Sequence, residues 1–399
     1  MSNLMGWRRQ DGRIGIRNRV VVAYLVECAH HVARKIASGF EGAEVHLIGF
    51  PGCYPNDYAE RLMAALCTHP NVGAVLLVSL GCEEFNRRTL ASSIAASGRP
   101  VETLVIQGVG GTRSTIDAGR RWVAAAVRQI AEAPRVKMTV ADLVVGTKCG
   151  GSDGLSGVTA NPAIGLAADR LVDAGAAVIF EELGELFGCE EHMAARAVSA
   201  GVGSAIRAAM DKALAYYRGI EHGSFGGGNI TGGLSTIEEK SLGAYAKSGS
   251  RPISGVLAPG EAPPGPGLYL MDMVSDGPVR WGYPNINDTT EVVEMIACGA
   301  HIVLFSTGCG SVVGSAVAPV IKVCSNPETF QRMSEDMDVD AGAVIEGRAT
   351  LAGVAAEIVA QIAGVAGGGE SRSEALDHQE FSLGYKTFDR LGPACHPGR

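Results

Sequence analysis

Residues 147–162 read TKCGGSDGLSGVTANP, Thr147 to Pro162, with Lys148, Cys149, Ser152, Asp153, Ser156 and Thr159 set among four glycines. The stretch before it, Ala141 to Gly146, is an apolar run that predicts a buried strand. The stretch after it, Ala163 to Val172, places Ile164, Ala168 and Leu171 at helical spacing. Asn161 is positioned to cap that helix and Pro162 to open it. A glycine-rich turn from strand to helix in an α/β sheet lies at the carboxyl end of its strand, where ligands bind. Its amides can approach an anion closely, and the helix N-terminus adds partial positive charge. This much polar chemistry in one turn predicts an active-site loop.

The same grammar recurs on both sides. Val20–Val26, Ala43–Gly49, Val72–Leu80 and Val101–Gln107 read as strands. They run into turns containing Gly52-Cys53, Gly81-Cys82-Glu83 and Gly108–Thr112, GVGGT. GVGGT has no full GxGxxG and no acidic residue at the expected offset, so it does not make a dinucleotide site. Further on, Ala176–Phe180 leads into Glu181, Glu182 and Glu185. Ser224–Gly233 is a glycine loop holding Asn229, and Ser235 with Glu238 predicts a capping box for a helix that carries Lys240 and Lys247. His301–Phe305 ends in Ser306–Ser311, STGCGS, an internal echo of TKCGGSD. Strand, glycine turn and helix in alternation predict an α/β protein of two doubly wound, mostly parallel, Rossmann-like sheet units, divided as 1–135 and 136–399.

Composition narrows the partners. The 399 residues carry a formal charge of −8, which argues against nucleic-acid or general membrane affinity, so an anionic substrate needs a local cluster of Lys, Arg or metal. No apolar run reaches membrane-spanning length, and the first residues do not read as a signal peptide, so the expected compartment is the cytoplasm. Ten cysteines are scattered without a CxxC pair, which excludes a local zinc ribbon. Cys67 and Cys298 read as buried apolar residues. Cys53, Cys82, Cys149 and Cys309 stand apart, each beside glycine at a strand end. The basic stretch Gly6–Asn18, with Arg13 and Arg17, reads either as a solvated entry segment or as an anion clamp.

Strand ends therefore bring together Cys149, Asp153, Glu182, Glu185, Asn229, Cys309 and Ser311. Thiols, carboxylates and glycine loops at one sheet edge suit a divalent metal and a small anionic hydroxy acid. A metal could hold such an acid at two points and stabilise an enolate while a base removes the α-proton and a β-substituent leaves.

Several stretches are specific in combination: GWRRQDGRIGIRN (6–18), HPNVGAVLLVSLGCE (69–83), TKCGGSDGLSGVTANPAIG (147–165), Glu182-x-x-Glu185 with Glu191-His192, GNITGGLSTIEEKSLGA (228–244), GLYLMD (267–272), STGCGS (306–311) and MDVDAG (337–342). Together they resemble the large catalytic part of the altronate/galactarate dehydratases, from about residue 6 to residue 345. The resemblance implies metal-dependent elimination of water from sugar acids, with iron(II) as the expected ion and manganese(II) or magnesium as alternatives. It also implies that Cys149, Asp153, Glu182, Glu185, Asn229 and Lys240 lie near the site. Lys148, Asp153, Glu182, Glu185 and Lys240 are the candidate catalytic residues, with the base unassigned. Arg13, Arg17, Ser152, Asn229 and Ser311 are candidate substrate contacts, and Cys149, Cys53 and Cys309 candidate metal ligands.

Three departures from the family pattern bear on substrate. The family's sugar-acid enzymes begin with a small β-rich domain, and this chain opens on the second domain, which implies a separate small, SAF-like subunit. Gly49-Phe50-Pro51-Gly52-Cys53 lacks the histidine those enzymes carry, and Cys309 stands where they often have arginine. The first two departures, with the ending YKTFDRLGPAC (385–395), resemble the large subunit of the two-subunit (2R)-sulfolactate sulfo-lyases. The expected activity is thus elimination of a β-substituent from a small 2-hydroxy acid, with (2R)-sulfolactate giving pyruvate and sulfite. The alternatives are a sugar-acid hydro-lyase giving a 2-keto-3-deoxy acid, and a non-catalytic subunit of such a complex. An oligomer is expected.

Overall fold

The computed structural model describes residues 4–386 except 41, 43, 55, 222 and 277–285. Residues 387–395 of the ending quoted above, and Cys395, lie outside the described residues. Two compact units contain the rest: Trp7–Pro134 with residues 381–386, and residues 4–6, 135–276 and Ile286–Glu380.

The N-terminal unit is built on a four-stranded parallel sheet. Its strands are β1 (Arg19–Tyr24), β2 (Val45–Gly49), β3 (Val72–Ser79) and β4 (Val101–Val105), in the order β2-β1-β3-β4. Every residue of β3 is buried, as expected for a parallel strand covered on both faces. Helix α1 (Glu27–Ala37) follows β1. Its Val32 and Ile36, one helical turn apart, join Val20, Val22, Leu76 and Val78 in the core. The strand expected through Gln107 ends at Val105 because residues Ile106–Val109 form a helical turn before GVGGT closes.

The second unit carries a seven-stranded parallel sheet: β5 (Val144–Cys149), β6 (Ala177–Phe180), β7 (Ile253–Leu257), β8 (Gly267–Met271), β9 (Ile302–Thr307), β10 (Val320–Cys324) and β11 (Val339–Asp340). Among the described residues the order is β7-β8-β6-β5-β9-β10-β11. β5 is central, and its neighbours β6 and β9 pair with it in register, Thr147 opposite Phe180 and Cys149 opposite Ser306. The three chemistry-bearing turns, after β5, β6 and β9, therefore emerge side by side. STGCGS and TKCGGSD are neighbours in space: the Gly151 carbonyl accepts from Gly308 N (3.0 Å) and Cys309 N (2.9 Å).

Helix α2 (Ala160–Asp173) leaves the β5 turn, and α3 (Ile237–Ala246) packs against it. Glycine permits the approach: a Cβ on Gly157 would stand 2.9 Å from the Gly243 Cα, and one on Gly165 would collide with the Ala246 carbonyl. Two local expectations are corrected. Asn161 does not cap α2; Thr159 precedes the helix without a side-chain cap. Asn161 is buried inside it, donating to the Gly243 carbonyl (2.9 Å) and accepting from Ser306 Oγ (2.6 Å). Tertiary partners thus claim the amide that would otherwise have capped. For α3 the cap is Thr236, which accepts from Glu239 N (3.2 Å), while Ser235 bonds the Glu239 carboxylate. The helix begins one residue later than the Ser235–Glu238 spacing predicts. The glycine loop 224–233 also contains a short helix, Gly227–Thr231. Among the described residues no helix is long and apolar enough to cross a membrane.

Candidate active site

Lys148 and Cys149 are the last residues of β5, and both are buried although one is charged. An unpaired charge at such depth is prohibitive, so the neighbouring elements supply partners. Lys148 Nζ lies 2.6 Å from Glu182 Oε1, 2.5 Å from Glu291 Oε2, 3.3 Å from Asp288 Oδ1 and 3.4 Å from Glu181 Oε1. Glu181 and Glu182 follow β6, the strand beside β5. Asp288 and Glu291 come from helix α4 (Asp288–Ala297), where a three-residue spacing puts both on one face.

Cys149 joins a second set of contacts. Its Sγ lies 3.0 Å from Glu182 Oε2, 3.4 Å from Glu185 Oε2 and 3.4 Å from Lys247 Nζ, and its amide donates to Glu182 Oε1 (3.2 Å). Lys247, the cap residue of α3, is itself in direct contact with Glu182 Oε2 and fully buried. Lys240, two turns earlier on α3, reaches Glu185 Oε1 (2.7 Å), the Ser224 carbonyl (2.7 Å) and Asn229 Oδ1 (3.4 Å). Asn229 Nδ2 in turn donates to the Ser152 carbonyl (3.5 Å). Glu182, where these contacts cross, has φ +87°, a left-handed conformation unusual for a residue with a Cβ. Such backbone persists only where surrounding contacts hold it.

Burial and charge act on these groups in opposite senses. Burial works against the Lys148 charge, but Glu181, Glu291 and the other carboxylates outweigh it and raise its pKa well above the ordinary lysine value. Burial, helped by Glu291, raises the Glu181 carboxyl well above the carboxylate range. Burial lowers Lys247 despite Cys149 and Glu181, and burial raises the Cys149 thiol despite Lys247.

Asp153 occupies a different place. It is buried and accepts from Ser325 Oγ (2.8 Å), Ser156 Oγ (2.9 Å), Leu155 N (3.1 Å) and Asn326 Nδ2 (3.2 Å), tying the β5 turn to the residues after β10. Ser152 and Asp153 line a cavity of about 240 Å³ with Asn161, Leu234, Lys240 and Leu242. Cys309 is exposed on the β9 turn, and Ser311 Oγ accepts from Val313 N (3.2 Å). Arg13, Arg17 and Cys53 belong to the N-terminal unit. Arg13 is held by Asp11 (2.6 Å) and the Thr68 carbonyl (2.7 Å). Arg17 is buried with Nη1 on the Ile16 carbonyl (3.0 Å), and Cys53 is exposed.

From the sequence, Lys247 reads with Lys240 as a candidate contact or as plain helix surface, and Glu181 only as one of the strand-end carboxylates; Asp288 and Glu291 are not singled out. Lys247 carried a signal, its seven-residue spacing from Lys240, which is two helical turns on one face.

Among the described residues, Cys149, Glu182 and Glu185 form the group whose ligand atoms all lie within 4.8 Å of one another. A thiol and two carboxylates suit a divalent transition metal. The surroundings fit as well. Glu182, Glu185, Asp288 and Glu291 face Lys148, Lys240 and Lys247, an excess of acid that a divalent cation would offset.

Comparison with known proteins places this geometry in a class. The family profile described as "D-galactarate/Altronate dehydratase, C-terminal" matches residues 140–388, and "D-galactarate dehydratase/Altronate hydrolase, second domain" matches residues 6–131. The chain is 34% identical to the (2R)-sulfolactate sulfo-lyase subunit beta of Chromohalobacter salexigens over 95% of this chain and 96% of that one. It is 29% identical to the altronate dehydratase of Bacillus subtilis, over 95% of this chain and 76% of that one, and 29% identical to that of Escherichia coli, over 94% and 76%. A parallel α/β scaffold with a buried lysine–carboxylate–thiol cluster at its strand ends is here the scaffold of a lyase. The chain belongs to the D-galactarate/altronate dehydratase family.

Proposed function

We propose that the chain is the large subunit of a metal-dependent lyase that eliminates a β-substituent from a small 2-hydroxy acid, with (2R)-sulfolactate as the preferred substrate. In that reaction the C2 proton passes to a base and the C3–S bond breaks with its electron pair leaving on sulfite. The resulting enol takes a proton at C3 and releases its hydroxyl proton to become pyruvate. The observation that carries this reading is the buried junction of Lys148, Cys149, Glu182 and Lys247 beside a small cavity, in a chain that matches a sulfo-lyase subunit over nearly its whole length.

Cys149, Glu182 and Glu185 are the residues that would hold the metal, with iron(II) favoured by the thiol. A bound divalent ion would polarise the substrate hydroxyl and carboxylate and stabilise developing enolate charge. Lys240, with Asn229 and Ser152 beside it, faces the cavity and would receive the anionic groups of the acid. Lys148, kept charged by its carboxylates, fixes Glu182. Lys247, whose proton affinity burial lowers, is the candidate base. Arg13 and Arg17 already have protein partners, so this reading gives anion binding to the lysines. Asp153 holds the loop shape, and Cys309 and Ser311 border the same edge from the β9 turn. Cys53, in the other unit, is left out of this metal group.

The same reading takes the two sheets as doubly wound, Rossmann-like units divided near residue 135 and places the protein in the cytoplasm. It expects a small, SAF-like β-rich partner subunit and an oligomeric assembly. A sugar-acid hydro-lyase is the second reading, favoured by the two altronate dehydratases among the relatives. Anaerobic assay of the chain with and without the small partner separates them. Sulfite and pyruvate in equal amounts from racemic sulfolactate support the first, and a 2-keto-3-deoxy acid from altronate supports the second. Neither product from either acid overturns both.

A further inference from the structure

The N-terminal unit gathers three thiols at one edge of its sheet. Cys28 lies in the first turn of α1, directly after β1. Cys53 follows β2 and Cys82 follows β3, and β1 lies between β2 and β3. All three thiols are free and exposed. Their turns are joined by backbone hydrogen bonds: Glu27 N donates to the Pro51 carbonyl (3.1 Å), and Glu84 N to the Cys53 carbonyl (3.0 Å).

The Cys53 and Cys82 turns are also anchored by groups other than their thiols. Tyr54 N donates to Tyr385 Oη (3.0 Å), and Gly52 is packed so closely that a Cβ would collide with the Tyr385 ring. The buried Glu83 carboxylate takes Ser79 Oγ and Gly81 N (2.8 Å), fixing the Cys82 turn, where Gly81 has φ +127°. Exposed thiols are open to oxidation and are ordinarily kept off protein surfaces. Three of them on hydrogen-bonded neighbouring turns at the ligand-binding edge of a parallel sheet form a preorganised donor set.

The spacing decides what the set can hold. The described donors that all lie within 4.8 Å of one another are Cys149, Glu182 and Glu185, so Cys28, Cys53 and Cys82 do not close on a single ion. A polynuclear cluster spans a wider triangle of thiolates. We propose that Cys28, Cys53 and Cys82 hold a cubane iron–sulfur cluster through three thiolates, leaving one iron open to water or another oxygen ligand. Each thiol gives up its proton as its Fe–S bond forms, and the ligand it displaces leaves the iron. No electron is transferred in that exchange. The set shares no residue with the Cys149 group, which belongs to the other unit, and stands or falls independently of the proposed elimination.

The full chain, purified anaerobically, is reconstituted with equal amounts of ferric and ferrous iron and with sulfide equal to the total iron. This supplies the cluster at its resting charge. Acid-labile sulfide is expected, matched one to one by iron beyond that held at the Cys149 group, with broad visible absorbance and a paramagnetic signal after reduction. Cys28→Ser, Cys53→Ser and Cys82→Ser should each lose most of the sulfide and absorbance while keeping the wild-type circular dichroism. Cys149→Ser should keep both. Absence of labile sulfide from the reconstituted wild type, or its equal retention in the three variants, would overturn the proposal. So would iron without sulfide that disappears in Cys149→Ser. Turnover is not the readout, so failure of the elimination reaction leaves this test intact.

Discussion

Lys247 Nζ stands 3.4 Å from Cys149 Sγ, with both side chains withdrawn from solvent and Glu182 in contact with each. The two residues are 98 positions apart in the chain and come from the end of α3 and the end of β5. Their meeting joins the cation side of the site to the thiol and carboxylates that could hold a metal.

Replacing Lys247 with methionine keeps the length of the side chain and removes its charge. Turnover should fall about 10²-fold or more, the scale at which a positioned proton-transfer group contributes. Stability should fall by roughly 3 kcal/mol, because Glu182 loses one of its buried cations. Arginine should not rescue activity, since it cannot give up its proton. Steady-state kinetics with urea unfolding would check both effects, and near-normal turnover in the methionine variant would remove Lys247 from the role of base.

Glu182→Gln keeps the shape of the residue but removes the carboxylate from the Cys149 group. Metal not matched by acid-labile sulfide in the anaerobically prepared variant should drop at least tenfold, in line with the loss of a direct ligand or its support. Metal analysis beside a Glu60→Gln control in the other unit would show whether the loss is specific.

Asp153→Asn tests the loop-holding role. The amide presents a donor where Asp153 accepts from Ser156, Ser325, Asn326 and Leu155 N. A stability loss of about 1–3 kcal/mol is expected from the mismatched buried group. Activity should fall together with stability, and reduced turnover at unchanged thermal midpoint would instead place Asp153 in the chemistry.

Gly165→Ala puts a methyl against the Ala246 carbonyl, one residue before Lys247. Forcing α2 from α3 should cost about 1–3 kcal/mol. Because α3 carries both site lysines, turnover should decline although no reacting group has changed. A crystal structure of the variant would show Lys240 and Lys247 displaced.

Glu181 gives a pH signature. Its carboxyl titrates in the ordinary range when unfolded and well above it when folded, because it is buried and faces Glu291. Between those values the folded protein holds a proton that the unfolded chain has released, so stability declines as pH rises through the window. Glu181→Gln, a neutral mimic of the protonated acid, should flatten that decline and leave stability at acid pH nearly unchanged. Urea midpoints measured across the pH range would reveal the difference in slope.

The strands and their glycine turns were legible because parallel strands buried on both faces are continuous apolar runs, such as Val72–Ser79 and Ile302–Thr307, broken by small residues. Capping was read less well. Asn161 and Ser235 have the right chemistry for helix starts, but Ser306 with Gly243, and the Glu239 carboxylate, compete for the same groups. Local propensity does not see the partners of Asn161, which lie 82 and 145 residues away along the chain.

The α/β class, the family, and the loops that bear the chemistry are written in short-range patterns: apolar runs, glycine turns and motifs of neighbouring residues. Which charges meet depends on the packing of distant elements. Strand order put β6 and β9 beside β5, and the close approach of α3 to α2 brought Lys247 down onto Cys149 and Glu182. Lys148 found Asp288 and Glu291 from a helix 140 residues further along. A buried lysine is tolerated only beside carboxylates, and the elements that supply them are adjacent in the folded sheet, not along the chain.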